Sequence, residues 1–312
     1  MFTRHFKQQL ILLSILVFFA TQAFSEVKLP GPLVNADWLA ENLNNVVVLD
    51  VRKQIDSFSD EGHISSAILV NSKKVRVKRT INGVELTRMI PAAEPFAKFM
   101  AAHGVSNDSS VVITHQGESA GNVAGAARLY WQLRYYGFDS VALLDGGNKS
   151  WVESLEELVP AVATIKPGKF STQTERTEIL ATTADVENAL EKKTITLIDT
   201  RPMRYHIGRD KRDYVFAYGH IPGSRSFNYK YLNPEKGISV YSPVEKVKKA
   251  FKALHIDPTA PAILYCNSAF ECASVWFYMT ELMGNKNVSI YDGSLHEWTM
   301  QESRPMTTIL SQ

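Results

Sequence analysis

Two stretches decide the fold: VVITHQGESAG at 111–121 and AILYCNSAFEC at 262–272. Each opens on four apolar or β-branched residues, the composition of a short buried strand. Each then passes through a polar loop into a helix-like stretch, AARLYWQLRYYG at 126–137 or ASVWFYMTELMG at 273–284. Both stretches close on a glycine that suits the residue just past a helix end. His115 and Cys266 stand at equivalent points, 151 positions apart.

The correspondence extends outward on both sides. VVVLDVR at 46–52 matches ITLIDTR at 195–201, with Arg52 and Arg201 149 positions apart. EGHISSA at 61–67 matches YGHIPGS at 218–224, with His63 and His220 157 apart. LLDGGNKSW at 143–151 matches IYDGSLHEW at 290–298, with Trp151 and Trp298 147 apart. Four ordered matches at a nearly constant offset are the signature of an internal duplication. Strand-like VVVLD, SVVIT and SVALLD alternate with helical segments, which implies an α/β fold: in each half, a mostly parallel central sheet flanked by helices. The expected domains are 27–165 and 177–305, joined by the polar, Pro- and Gly-containing linker KPGKFSTQTER at 166–176. Asp50 and Asp199 fall at strand ends, where α/β folds place their chemistry, although aspartates there also fix local turns.

Composition narrows the function. The chain has 312 residues, 45% of them apolar and 21% charged, which is ordinary for folded domains. Its formal net charge of +2 and lack of a long basic run argue against nucleic-acid binding. Cys266 and Cys272 are the two cysteines, so a disulfide framework and a four-cysteine zinc site are both excluded. Nothing in the sequence calls for a metal or an organic cofactor.

At the amino terminus, Arg4, His5 and Lys7 precede the apolar run LILLSILVFFA at 10–20. Spanning a bilayer takes about 20 residues, so this run reads as a signal peptide over 1–25. Ala23 and Ser25 would place cleavage before Glu26; Thr21 and Ala23 offer a competing site, and an uncleaved anchor is the other reading. Export to the periplasm or outside the cell, without stable membrane association after cleavage, is the expectation.

Cys266 is the sharpest chemical signal. It ends a strand and opens the loop Asn267, Ser268, Ala269, Phe270, Glu271, with Cys272 at the head of the following helix. Unpaired N–H groups of such a loop and first helical turn converge on the sulfur, and the helix dipole favours negative charge there. Both lower a thiol pKa, and the thiolate is the nucleophile. The competing reading is a buried cysteine that packs as a small hydrophobe.

With LDVR and IDTR, GHISSA and GHIPGS, the Cys266 loop, and LDGGNKSW and YDGSLHEW in place, the chain resembles the two-domain rhodaneses, which are sulfurtransferases. The resemblance covers nearly the whole chain after the leader. It implies tandem rhodanese-like domains, the first a catalytically inactive copy, as His115 at the nucleophile position agrees. It implies that Cys266 takes the outer sulfur of a donor such as thiosulfate, holds it as a persulfide, and passes it to cyanide or a thiol. Mercaptopyruvate or a protein persulfide would serve as donor equally well. The loop residues 267–272 would line the substrate site. Arg201 and Arg204 are the candidate anchors for an anionic donor, with surface ion pairing as the alternative for both.

The loop departs from the family pattern twice. Ala269 stands where the family often has Gly, which is tolerable unless the backbone there needs a positive φ. Glu271 stands near a position that is often basic or hydroxylic. A carboxylate facing the sulfur would oppose its ionisation, so Glu271 is expected to point to solvent at the helix start. Cys272 is expected to pack in the core; a disulfide with Cys266 would strain so tight a turn. His63, His220 and His115 are read as structural. A cysteine-dependent phosphatase would need an arginine at the far end of the loop, where Glu271 and Cys272 stand. A non-catalytic or redox-responsive sulfur-binding protein on the same scaffold is the third reading.

Overall fold

The computed structural model describes residues 27–310 except 155. The apolar leader therefore lies outside the described residues. The strands are β1 (Leu33–Val34), β2 (Val47–Arg52), β3 (Ile68–Asn71), β4 (Val77–Ile81), β5 (Val84–Met89), β6 (Val111–Thr114), β7 (Val141–Leu144), β8 (Leu180–Ala181), β9 (Thr196–Asp199), β10 (Arg225–Ser226), β11 (Ala262–Tyr265) and β12 (Val288–Tyr291). They form two five-stranded sheets, ordered β1-β7-β6-β2-β3 and β10-β9-β11-β12-β8, every pairing within them parallel. The central strands β6 and β11 are buried at every residue, as expected when helices cover both faces. β6 places Thr114 opposite Asp50, and β11 places Tyr265 opposite Asp199. His115 and Cys266 thus follow equivalent central strands, as the repeat implies.

The same clamp organises both halves. Arg52 grips the Asp50 carboxylate at 3.0 and 2.8 Å and donates to the Gly62 carbonyl at 2.7 Å. Arg201 grips Asp199 at 2.8 and 2.6 Å and donates to the Gly219 carbonyl at 2.7 Å. Each arginine ties a strand end to its Gly-His-Ile turn, and all four charged residues are buried. The histidine of each turn stacks on a ring, His63 on Phe58 and His220 on His206, at 3.6 and 3.7 Å. Each also pairs through its backbone with the trailing segment of its half, at Val159 or Thr307. Turn and packing roles account for both histidines.

The halves share one core. The helix Ala120–Tyr135, N-capped by the Ser119 side chain and followed by Gly137 at φ 77°, packs on the helix Glu271–Phe277. Tyr130 meets Phe277 edge-on at 4.8 Å. The interface has a pseudo-twofold exchange: Asp145 accepts the Tyr241 N–H at 2.8 Å, and Asp292 accepts the Ile90 N–H at 2.8 Å. Residues 166–176 are docked on the first half rather than free, with Phe170 buried and backbone bonds from Gly168, Gln173 and Arg176.

One element breaks the repeat. β4 and β5 form an antiparallel hairpin in the first half, closed by Asn82 and Gly83 at φ 51° and 80°. Asn-Gly flanked by alternating residues is a strong short-range hairpin signal. The hairpin reaches the second half, where the Thr87 N–H donates to His296 Nε2 at 3.2 Å.

Removing one partner from a buried ion pair leaves an uncompensated charge, at a cost of about 3–5 kcal/mol. Arg201→Met should therefore lower the urea midpoint by that equivalent. Arg204→Met should leave the midpoint unchanged. Equal midpoints for wild type and Arg201→Met would remove the clamp from the account of stability.

Candidate active site

The Cys266 loop is fixed at both ends by one hydroxyl. Ser294 Oγ accepts from the N–H of Cys266 at 3.2 Å and from that of Ala269 at 3.1 Å, while donating to the Tyr291 carbonyl at 2.8 Å. The Leu295 and His296 N–H groups hold the carbonyls of Cys266 and Asn267 at 3.2 and 3.0 Å. Between these anchors the chain passes through Ala269 at φ 51°, so an alanine occupies a left-handed conformation that costs a residue with a Cβ about 1–2 kcal/mol. The first half helps to hold it there: Arg128 donates to the Ala269 carbonyl at 2.9 Å and pairs with Asp292 at 2.6 Å, entirely out of solvent. Ser294, itself at φ 49°, replaces Gly147 of the first half, where any Cβ would fall 2.2 Å from the His115 carbonyl oxygen.

This path turns the loop inward around one sulfur. Burial alone would raise the Cys266 pKa. The Cys272 thiol and the backbone N–H groups of Cys272, Ser268 and Glu271 face the sulfur and together outweigh burial, bringing the pKa down to about 5. Cys266 is a thiolate at neutral pH. Cys272 is buried, as expected, but its thiol also faces Cys266, and both thiols are free. Burial first, then the bond to Cys266 and its charge, push the Cys272 pKa well up, so it stays a neutral donor.

Cys266 opens into a cleft of about 1180 Å³ between the halves. Asn267, Ser268, Phe270 and Glu271 line it; Ala269 and Cys272 are fully buried and do not. The opposite wall comes from the first half. Arg76 sits 4.7 Å above the Phe270 ring and donates to Ser268 Oγ at 3.3 Å. Arg88, at φ 67°, lies 3.9 Å from the Tyr214 ring. Arg212 adds a cation from the second half, beside Lys53, Lys73 and Lys78 from the first. The sequence reading missed these three arginines; the Asn-Gly hairpin signal was available for Arg76 and Arg88, while Arg212 sits in a loop without a marker.

Three expectations are corrected. Arg201 does not face substrate, because both ends of its guanidinium are spent inside the clamp on Asp199 and Gly219. Arg204 is an exposed surface residue paired with Asp210 at 3.3 Å and does not line the cleft. Glu271 does not point to solvent. Its side chain lines the Cys266 cleft, and its Oε2 is buried without a hydrogen-bond partner. The cleft it lines has its other wall in the first half. Burial, then the neighbouring thiolate, raise the Glu271 pKa to about 8 despite Arg212 and Arg201. At neutral pH the pair carries one negative charge, on sulfur, and the carboxyl keeps a proton. In the first half, His115 is buried with Nδ1 accepting from the Gly117 N–H at 3.0 Å, and burial lowers its pKa to about 4. It is a neutral structural residue.

Alkylation of Cys266 should rise with pH through a midpoint near 5 and then level off, since only the thiolate reacts. Cys272→Ala removes one hydrogen bond to an anion, worth about 1.5–3 kcal/mol, so the midpoint should move up by about one to two units. An unmoved midpoint would exclude the Cys272 thiol as a donor.

Comparison with known proteins follows the same outline. The sequence profile of the rhodanese-like domain matches residues 35–154 and again 182–301. The chain is 31% identical to the sulfur carrier protein TtuD of Thermus thermophilus, over 86% of this chain and 94% of the relative. It is 28% identical to the thiosulfate sulfurtransferase of Bos taurus, over 85% of this chain and 91% of that one. Among solved structures, it superposes on the 3-mercaptopyruvate sulfurtransferase SseA of Escherichia coli with a TM-score of 0.70, at 25% identity, over 85% of this chain and 98% of the other. The matched profile, the duplicated sheets and the loop at the end of the second central strand coincide: the chain belongs to the rhodanese family and carries its domain twice.

Proposed function

We propose that the protein is a sulfurtransferase that moves a sulfane sulfur from a small anionic donor to a thiophilic acceptor through a persulfide on Cys266. Thiosulfate sulfurtransferases and a 3-mercaptopyruvate sulfurtransferase among its relatives support the reaction class. The observation that carries the assignment is the ring of donors around Cys266: three N–H groups and one thiol on a single sulfur at the mouth of an arginine-lined cleft. Such a ring stabilises an anion without needing to reorganise during reaction. It suits two anions in turn, the thiolate and the terminal sulfur of the persulfide.

With thiosulfate, the Cys266 thiolate attacks the outer sulfur, a sulfur–sulfur bond forms to Cys266, and the donor's sulfur–sulfur bond breaks. Sulfite leaves with the bonding pair, and no proton moves. Arg76, Arg88 and Arg212 offset the meeting of anions in the cleft. Cyanide or a thiolate then attacks the terminal sulfur and releases Cys266 as thiolate.

Incubation with thiosulfate should add the mass of one sulfur atom to the intact protein. Cys266→Ser should abolish the gain, and His115→Ala should retain it. A gain that survives Cys266→Ser would reject the assignment; loss in His115→Ala, with unchanged thermal stability, would place the first half in the chemistry.

A further inference from the structure

Glu271 is an unusual residue to find in this cleft. Its backbone N–H faces the Cys266 sulfur, and the residue lines the same cavity. One carboxyl oxygen is buried and makes no hydrogen bond, which is costly for a charged oxygen and far less so for a protonated acid. The corresponding place in the first half, beside the inert His115, is Ala120. The carboxyl therefore accompanies the nucleophile and is absent where the nucleophile is absent.

We propose that Glu271 is a catalytic acid that protonates the departing group of the sulfur donor, and that it suits the enzyme to hydropersulfides of small thiols. The proposal rests on the Cys266 persulfide reading above. In such a donor, RS–SH, the Cys266 thiolate attacks the outer sulfur. The bond between outer and inner sulfur breaks, and the inner sulfur leaves as a thiolate, which takes the Glu271 proton and departs as RSH. The new Cys266 hydropersulfide then returns its own proton to Glu271. One thiolate and one hydropersulfide have become one persulfide anion and one thiol, with no external oxidant or reductant. Sulfite leaving from thiosulfate needs no such proton, so the two donor classes place different demands on Glu271.

Its proton is set by every group that faces it. Burial and the Cys266 thiolate hold it on, Asp199 acts in the same sense, and Arg212 and Arg201 oppose. Tyr229 and the exposed Arg204 also feel the carboxyl. The acid is loaded at neutral pH and is lost as pH rises through about 8.

The test compares two donors on the intact protein, reading the rate of single-sulfur gain by mass across pH. The probes are thiosulfate and glutathione hydropersulfide generated in solution. In wild type both rates should fall above pH of about 8, because the ionised carboxyl repels anions in the cleft, and the hydropersulfide rate should fall further because its leaving group also loses the acid. Glu271→Gln keeps the side-chain shape. It should slow the hydropersulfide reaction about 100-fold more than the thiosulfate reaction and abolish its alkaline fall. An unchanged thermal midpoint reports that the variant is folded. Equal slowing of both donors, or a hydropersulfide rate unaffected by the change, would overturn the proposal. No sulfur gain by wild type with either donor would instead overturn the persulfide reading on which it rests.

Discussion

Three backbone N–H groups and one thiol converge on the Cys266 sulfur, and the rest of the site depends on keeping them there. Bringing a thiolate out of water is expensive, and a nearby carboxyl would make it more so if it ionised. Hydrogen bonds from N–H groups fixed in the backbone answer both costs at a distance where little solvent intervenes. They work only while the loop follows its strained path through Ala269. Ser294 closes that path from within the second half, and Arg128 closes it from the first. The nucleophile is thus a product of loop geometry more than of nearby positive charge.

The duplication explains both what the two halves share and where they differ. Both keep the Asp–Arg clamp, the stacked histidine and the aspartate that accepts an N–H from the other half. They part at the three positions that bear on chemistry: His115 against Cys266, Ala120 against Glu271, and Gly147 against Ser294. The last difference has a steric cause, since the closeness of the His115 carbonyl leaves no room for a side chain at 147. Yet the first half is more than a silent copy. It supplies the buried Arg128 under the loop, the hairpin that carries Arg88, and Arg76 over Phe270.

The strand-loop-helix unit, the equivalence of His115 with Cys266 and the two-domain plan were legible because they rest on local periodicity repeated along the chain. The low thiol pKa was legible for the same reason, as a loop leading into a helix start needs no distant partner. Arg201 was misread because a conspicuous arginine after a strand looks the same whether it faces a ligand or is consumed by an aspartate two residues away. Glu271 was misread because the cleft it lines has its other wall in the first half. The arginines of the cleft belong to the same class: Arg76 and Arg88 are far from Cys266 in sequence and arrive by the packing of one domain on the other.

The claim that loop geometry makes the thiolate is tested most directly by a spectroscopic pH titration of Cys266 in a Ser294→Gly variant. Glycine accepts the positive φ at this position, so the change removes the hydroxyl that pins Cys266 and Ala269 without imposing backbone strain. With the pin removed, the N–H groups lose their aim, and the pKa should climb from about 5 by about one unit or more. A midpoint that stays near 5 would contradict the account and assign the anion's stability to another source.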